Sequence, residues 1–255
     1  MPCYFPLQGY RSLHVNKSGK RSIVFNRNQG FVDMPVSCPC GQCIGCRLER
    51  SRQWAIRCVH EASLYEKNCF ITLTYNNQHL PKDGSLKVRD FQLFMKRLRK
   101  KFGSGIRFFH CGEYGAKHNR PHYHAILFNH DFSDRVFFKD SNGFSLDRSA
   151  DLELLWPFGY STVGDCTFES AAYVARYILK KVTGENSFYH YSDIDYDSGE
   201  IISTRKSEYT TMSRRPGIAK GWFDKFGKDV HPRDEVIIRN MKMRPPRYYD
   251  NIFEL

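Results

Sequence analysis

Between residues 68 and 183 the apolar positions keep changing rhythm, recurring every second residue and then every third or fourth. Asn68-Cys69-Phe70-Ile71-Thr72-Leu73-Thr74-Tyr75 alternates β-branched and aromatic residues and stops at Asn76-Asn77, the composition of a strand. Over 87–102, Val88, Phe91, Phe94, Met95, Leu98 and Phe102 recur at helical spacing and predict an amphipathic helix. Residues 106–111 read as a second strand, running into Gly112-Glu113-Tyr114-Gly115. A turn at 116–120 returns the chain into the apolar run 121–128, so 106–128 is expected to form a hairpin. A polar interval at 129–150, a short helix at 151–156 closed by Pro157 and a strand at 159–166 follow. Helical period then returns over 168–182, with Ala171, Val174, Ala175, Ile178 and Val182 on one face.

The flanks are less regular. Residues 1–37 carry turn signals at Lys17-Ser18-Gly19-Lys20 and a short apolar run at Ile23-Val24-Phe25, an irregular or β-hairpin lead-in. A helix is expected over about 46–66, with Leu48, Ala55, Val59 and Ala62 on one face. Beyond Gly184 the chain turns polar, and 192–197 reads as an exposed acidic loop. Ser213-Arg214-Arg215-Pro216-Gly217 precedes a helix start, and Arg244-Pro245-Pro246-Arg247-Tyr248-Tyr249 reads as an extended basic tail. The expected organisation is a lead-in with a cysteine cluster and a helix packed on the core (1–68), a core (69–183) and a basic extension (184–255). No repeat or low-complexity tract interrupts it.

Charge adds a partner to this picture. Lys and Arg number 39 against 27 Asp and Glu, a formal net charge of +12, and 15% of residues are aromatic. A polyanion is the expected partner, with rings on which bases can stack. No basic amphipathic segment, no run of about 18 apolar residues and no signal peptide argue for a membrane, so a soluble intracellular protein is expected. The nine cysteines, four of them within 38–46, suit metal ligation in a reducing compartment better than a disulfide framework.

Three groups of residues carry candidate chemistry. His122 and His124 are two apart in a strand and project from one face, with Ile126 and Phe128 continuing that face into the core. The hairpin sets Glu113 beside the entry of the histidine strand. Two imidazoles and a carboxylate make a three-ligand site with open positions, suited to Mg2+ or Mn2+ on a phosphate, though a strand histidine can also be ordinary core and Glu113 an ordinary loop acid. Cys40, Cys43 and Cys46, at C-x2-C-x2-C spacing, suit a structural Zn2+; an iron–sulfur cluster or plain buried thiols share the pattern, and Cys38 or the distant Cys3 could be the fourth ligand. Tyr173, Tyr177 and Lys180 share a stripe away from the apolar face of their helix. They are either ordinary groove-lining residues or a pair of nucleophilic phenols with a cation beside them. Lys96, Arg97, Arg99 and Lys100 near a helix C-terminus, together with Arg120, Arg214 and Arg215, are candidate contacts to a DNA backbone.

In order, the strand 70–75, the histidine strand 121–128 and the tyrosine helix 173–181 resemble the HUH endonuclease superfamily, named for a His-hydrophobe-His strand. Cys3-Tyr4, Pro39-Cys40-Gly41-Gln42-Cys43-Ile44-Gly45-Cys46-Arg47 and Ser213-Arg214-Arg215-Pro216-Gly217-Ile218 are similar, more narrowly, to the rolling-circle replication initiators of gokushovirus-type Microviridae phages. Cys38 departs from that pattern. The resemblance implies an α+β fold, an RRM-like palm with a central antiparallel sheet flanked by helices, and the element order above agrees. It also implies Glu113 as the third metal ligand, Tyr173 and Tyr177 as nucleophiles and Lys180 beside them. The implied activity is a metal-dependent single-stranded DNA endonuclease, forming a 5′-phosphotyrosine intermediate at a replication origin. It would act in the bacterial host cytoplasm, with host helicase or polymerase as further partners. The rivals are an HUH nickase of a plasmid or transposon, a hydrolase using water, and a noncatalytic zinc-dependent DNA-binding protein.

Overall fold

The computed structural model describes residues 3–253 apart from 116, 117, 142, 177–180, 183, 185 and 196. The chain divides into two compact units, Met1–Arg50 and Ser51–Leu255. The first holds a three-stranded antiparallel sheet of β1 (Leu7–Val15), β2 (Arg21–Val24) and β3 (Gly30–Cys38), with β1 in the middle. The turn between β1 and β2 is where its residues predict it: Asn16 Oδ1 accepts from the backbone N–H groups of Ser18 and Lys20.

Helix α1 (Ile44–Ala62) contains the division between the units. After it come β4 (Asn68–Tyr75), α2 (Val88–Phe102), β5 (Arg107–Tyr114), β6 (Pro121–Phe128), β7 (Val136–Ser141) and β8 (Phe144–Arg148). Then follow α3 (Ala150–Leu155), β9 (Gly159–Asp165), α4 (Phe168–Arg176), α5 (Asn186–Tyr191), β10 (Ser192–Ile194), β11 (Ile201–Thr204) and β12 (Tyr209–Met212). The chain ends on α6 (Lys220–Val230), a small hairpin of β13 (Val236–Ile238) and β14 (Met241–Met243), and α7 (Arg247–Phe253). Among the described residues seven strands make one antiparallel sheet, in the order β12-β5-β6-β4-β9-β8-β7. The protein is thus α+β, with a large antiparallel sheet flanked by helices.

Strand alternation sorts the two faces of this sheet. Cys69, Ile71, Leu73 and Tyr75 of β4 and Tyr123, Ala125 and Leu127 of β6 point to one side, where Phe91, Phe94, Met95 and Leu98 of α2 and Leu152 and Leu155 of α3 cover them. Each buried Leu, Ile, Phe or Met among them contributes about 1.5–3 kcal/mol. Helix α3 starts where Ser149 Oγ accepts from the N–H of Leu152 and stops before Pro157. The opposite face carries Phe109, Cys111, Ile126 and Phe128, packed with Ile56 of α1, Ala171, Val174 and Ala175 of α4, Phe223 of α6 and Tyr249 of α7.

At the sheet edge β12 pairs with β5, bringing Tyr209 opposite Gly112. A Cβ on Gly112 would meet the Tyr209 ring at 2.7 Å, so only glycine lets this strand close. The segment after β12 is anchored by one buried carboxylate. Glu61 Oε1 accepts from Arg107 Nε at 2.5 Å, and Oε2 accepts from the N–H of Ala219, at the start of α6, at 2.6 Å.

Three segments differ from their expected form. The polar interval 129–150 contains the β7–β8 hairpin, and β7 is so exposed that it shows no alternation to read. The acidic loop at 192–197 begins as β10, paired with β11, in strands too short to give a period. The expected extended tail is helix α7: Pro246 stands just before its first residue, where a missing N–H costs nothing, and Tyr249 is fully buried. No described helix is long and apolar enough to cross a membrane.

Candidate functional site

β5 and β6 pair in a register that sets Glu113 directly opposite His122 and Cys111 opposite His124. His122, His124 and Glu113 therefore share one sheet face, the face on which Ile126 and Phe128 enter the core. Glu113 is buried, and its Oε1 lies 3.0 Å from His124 Nε2. His124 Nδ1 lies 3.0 Å from Thr72 Oγ1, and its ring stacks on Phe70 at 5.7 Å between centroids. His122 Nδ1 lies 2.7 Å from the Arg120 carbonyl, which can only accept, so Nδ1 carries the proton and Nε2 the lone pair. A Cβ on Gly115 would come 3.1 Å from His122 Cε1 and 3.4 Å from Nε2; the bare backbone here leaves room for that edge of the ring. The His122 and His124 centroids are 6.4 Å apart. By donor type, two imidazoles with their other nitrogens held and a buried carboxylate on the same face suit a hard or borderline divalent cation.

Helix α4 lies over this face. Ala171, Val174 and Ala175 point into the core, which leaves Tyr173 on the helix's other side, 43% exposed. The Tyr173 ring meets the His124 ring edge-on at 5.3 Å and Phe70 at 6.1 Å. One phenol is therefore beside the histidines, outside the hydrophobic interior. Tyr177 and Lys180 lie outside the described residues. Thr72 and Phe70 complete the site and have no counterpart among the candidates read from sequence. Their signal is the polar-and-aromatic phase of β4, Phe70-Thr72-Thr74, opposite in pleat to Ile71 and Leu73.

The expected backbone contacts scatter. Lys96 and Lys100 are exposed on α2, across the sheet from the histidines. Arg97 Nε donates to the Leu155 carbonyl and Arg99 to that of Ile106, so both guanidinium groups hold loops of the fold. Arg120 does the same for Tyr75 O and Asn77 Oδ1 at the mouth of β6. Arg214 and Arg215 are exposed just past β12, at the end of β5 that carries Phe108 and Phe109, remote from Glu113.

In the first unit, Cys3, Cys40, Cys43 and Cys46 bring their sulfurs within 4.8 Å of one another. Cys40 and Cys46 Sγ are 4.0 Å apart, and Cys43 and Cys3 Sγ 3.9 Å, near the roughly 3.8 Å edge of a tetrahedron with metal–sulfur bonds of about 2.3 Å. The fourth thiol of this group is Cys3 and not Cys38, whose Sγ faces the Val36 carbonyl. The N–H of Tyr4 points at Cys43 Sγ and, with that of Cys46, pulls the Cys43 thiol down to about 6; the Cys43 N–H lowers Cys40 in the same way. Desolvation pushes Cys46 up to about 12. The four thiols could hold a metal.

A family model described as replication-associated protein ORF2/G2P matches residues 68–182, the stretch that contains both histidines, Glu113 and Tyr173. Replication-associated protein VP4 of Bdellovibrio phage phiMH2K is 35% identical over 226 residues, covering 85% of this chain and 67% of its own. Replication-associated protein ORF2 of Spiroplasma virus 4 is 31% identical over 277 residues, covering 100% and 81%. For replication-associated protein ORF4 of Chlamydia phage 1 the figures are 31% over 224 residues, 84% and 53%. No solved structure matches. The matched region and these relatives therefore define a replication-associated protein. More narrowly, the chain belongs to the replication-associated proteins of gokushovirus-type Microviridae phages.

Proposed function

We propose that the chain initiates rolling-circle replication by nicking single-stranded DNA at a phage origin, with a tyrosine as nucleophile and a divalent ion at His122, His124 and Glu113. The observation that carries this reading is the Tyr173 ring, 5.3 Å from that of His124, on the face that holds the buried Glu113. Mn2+ or Mg2+ bound there would supply Lewis-acid polarisation of the scissile phosphate. The protein's own part is to hold the imidazoles. Thr72 and the Arg120 carbonyl fix the two rings, and Glu113 adds the negative charge. The phenolic oxygen attacks phosphorus, the bond to the 3′ oxygen breaks, and that oxygen leaves as a 3′-OH that host polymerase can extend. Solvent takes the phenolic proton and returns one to the leaving 3′ oxygen, and a 5′-phosphotyrosine link remains. That link keeps the phosphodiester's bond energy, so rejoining needs no nucleotide cofactor. Tyr177, one helical turn on by sequence, would attack after one round and release the displaced circle, with Lys180 steadying the phosphate. Arg214 and Arg215 would hold DNA backbone away from the reacting bond, and the four-cysteine group would hold a structural Zn2+.

Incubation with origin single strand and Mn2+ tests this. The unmodified protein should form a denaturation-resistant protein–DNA adduct, and the Tyr173→Phe/Tyr177→Phe double variant should bind DNA but form none. Cleavage that survives the double replacement would instead identify water as the nucleophile. An unmodified protein that forms no adduct would refute the reading altogether.

A further inference from the structure

The histidine face of the sheet continues past the site, and strand register says what it carries. Glu113, His122, Thr74 and Tyr160 are successive partners in one row across β5, β6, β4 and β9. The next row runs through His124, Thr72 and Thr162. Asp147 pairs with Val163, so Arg148 falls beside Thr162, and Leu146 beside Gly164. The adjacency is direct, since a Cβ on Gly164 would lie 3.6 Å from Leu146 and 3.7 Å from Phe70, the ring that stacks on His124. At the outer edge β7 inserts Phe138 as an extra residue between the pairs Phe137–Asp147 and Lys139–Leu146. Such a bulge turns Phe138 and Lys139 together toward Leu146's face.

Among the described residues, helix α4 packs over β6 and β5 and not over β9, β8 or β7. Tyr160 is 67% exposed, Phe138 48% and Phe144 45%. Lys139 Nζ and Arg148 Cζ sit 5.4 and 5.7 Å from the Phe138 ring, and Arg148 also reaches Glu153. The acids of this wing are on the other face, where Arg135 binds Asp131, Asp147 and Asp165. From β6 to β7 is four strand spacings, about 19 Å at roughly 4.8 Å each. Exposed rings interleaved with cations, running outward from a phosphate-handling site, match the chemistry of unpaired nucleotides.

We infer that the β9–β8–β7 wing is a single-stranded DNA track, on which bases flanking the scissile phosphate stack on Tyr160, Phe138 and Phe144 while Lys139 and Arg148 follow the backbone. The inference deepens the nickase reading, but its test is separate. The affinity of the full chain for origin single strand is measured by fluorescence anisotropy at low salt, without added metal. Replacement of Tyr160, or of Phe138 and Phe144 together, by Ala should weaken binding about 5- to 150-fold per lost stack. Tyr160→Phe and Phe138→Tyr/Phe144→Tyr keep a ring and should restore it. Phe226→Ala, an exposed ring on α6, serves as the control. Affinity unchanged by the alanine variants overturns the track and leaves the edge strand to a protein partner. A loss shared with Phe226→Ala, or one the ring-keeping variants fail to restore, overturns it as well. An unmodified protein that makes no tyrosine adduct, yet binds more weakly in the alanine variants, would sink the nickase and keep the track.

Discussion

Thr72→Val asks whether the histidine face is a metal site by changing a residue that would touch neither metal nor DNA. The substitution keeps the side-chain shape and removes the hydroxyl 3.0 Å from His124 Nδ1. The register fixes Thr72 directly opposite His124, so nothing else on β4 can take its place. With Nδ1 unheld, the ring can turn, and Nε2 leaves its 3.0 Å station at Glu113. Losing an orienting partner of this kind costs roughly 10- to 100-fold in metal affinity, or about 1.4–2.7 kcal/mol. The cost to folding is about 0.5–1.5 kcal/mol, too little to unfold the domain. The assay is adduct formation on origin single strand as a function of Mn2+ concentration. Half-saturation should move up 10- to 100-fold while the rate at saturating Mn2+ stays within a few-fold, and Thr72→Ser, which retains the hydroxyl, should behave like the parent. Equal half-saturation for Val and the parent, or a Ser variant as impaired as Val, would refute the argument.

Two further outcomes follow from features away from that face. Protein prepared with zinc should carry about one equivalent at the cysteine group; elemental analysis should find it lost in Cys3→Ser and Cys43→Ser and kept in Cys38→Ser. Stability should also fall on acidification through His60. Burial depresses this imidazole to about 4, with its Nδ1 2.6 Å from the Tyr249 hydroxyl, against about 6.5 when unfolded. The folded state therefore stays neutral while the unfolded state binds a proton. Its share of stability is whole above pH 6.5, is lost as pH falls from 6.5 toward 4, and amounts to about 3 kcal/mol. Urea midpoints across that range should fall less steeply in His60→Gln, and an unchanged slope would count against the burial argument.

What could be read in advance follows from how far each signal reaches along the chain. The pleat has a fixed period of two, so the shared face of His122 and His124 and the two sides of β4 needed no tertiary information. Helical spacing likewise gave Phe91, Phe94, Met95 and Leu98 as the buried stripe of α2, though Val88 and Phe102 at its ends are exposed, and left Tyr173 outward on α4. Thr72 escaped because alternation says that it faces away from Leu73 but not which strand lies beside it. Cys3 could be offered only as an alternative to Cys38, because ligand spacing loses meaning across 37 residues. Arg97 and Arg99, expected at phosphates, serve carbonyls of Leu155 and Ile106, a role decided by loops that come later in the chain. The wing was hidden for the opposite reason: a strand exposed on both faces, like β7, has no buried phase to detect.

The strand bearing Glu113 has a neighbour from far downstream, for Tyr209 meets Gly112 across about a hundred residues of intervening chain. During synthesis, β5 and β6 can pair as soon as the hairpin emerges, but β5's outer edge stays open until residue 212 has been made. Closing so long a loop is slow compared with forming a hairpin. Nascent chains therefore pass through a period with an unpaired strand edge beside the histidines, when wrong pairing between chains competes with completion of the sheet.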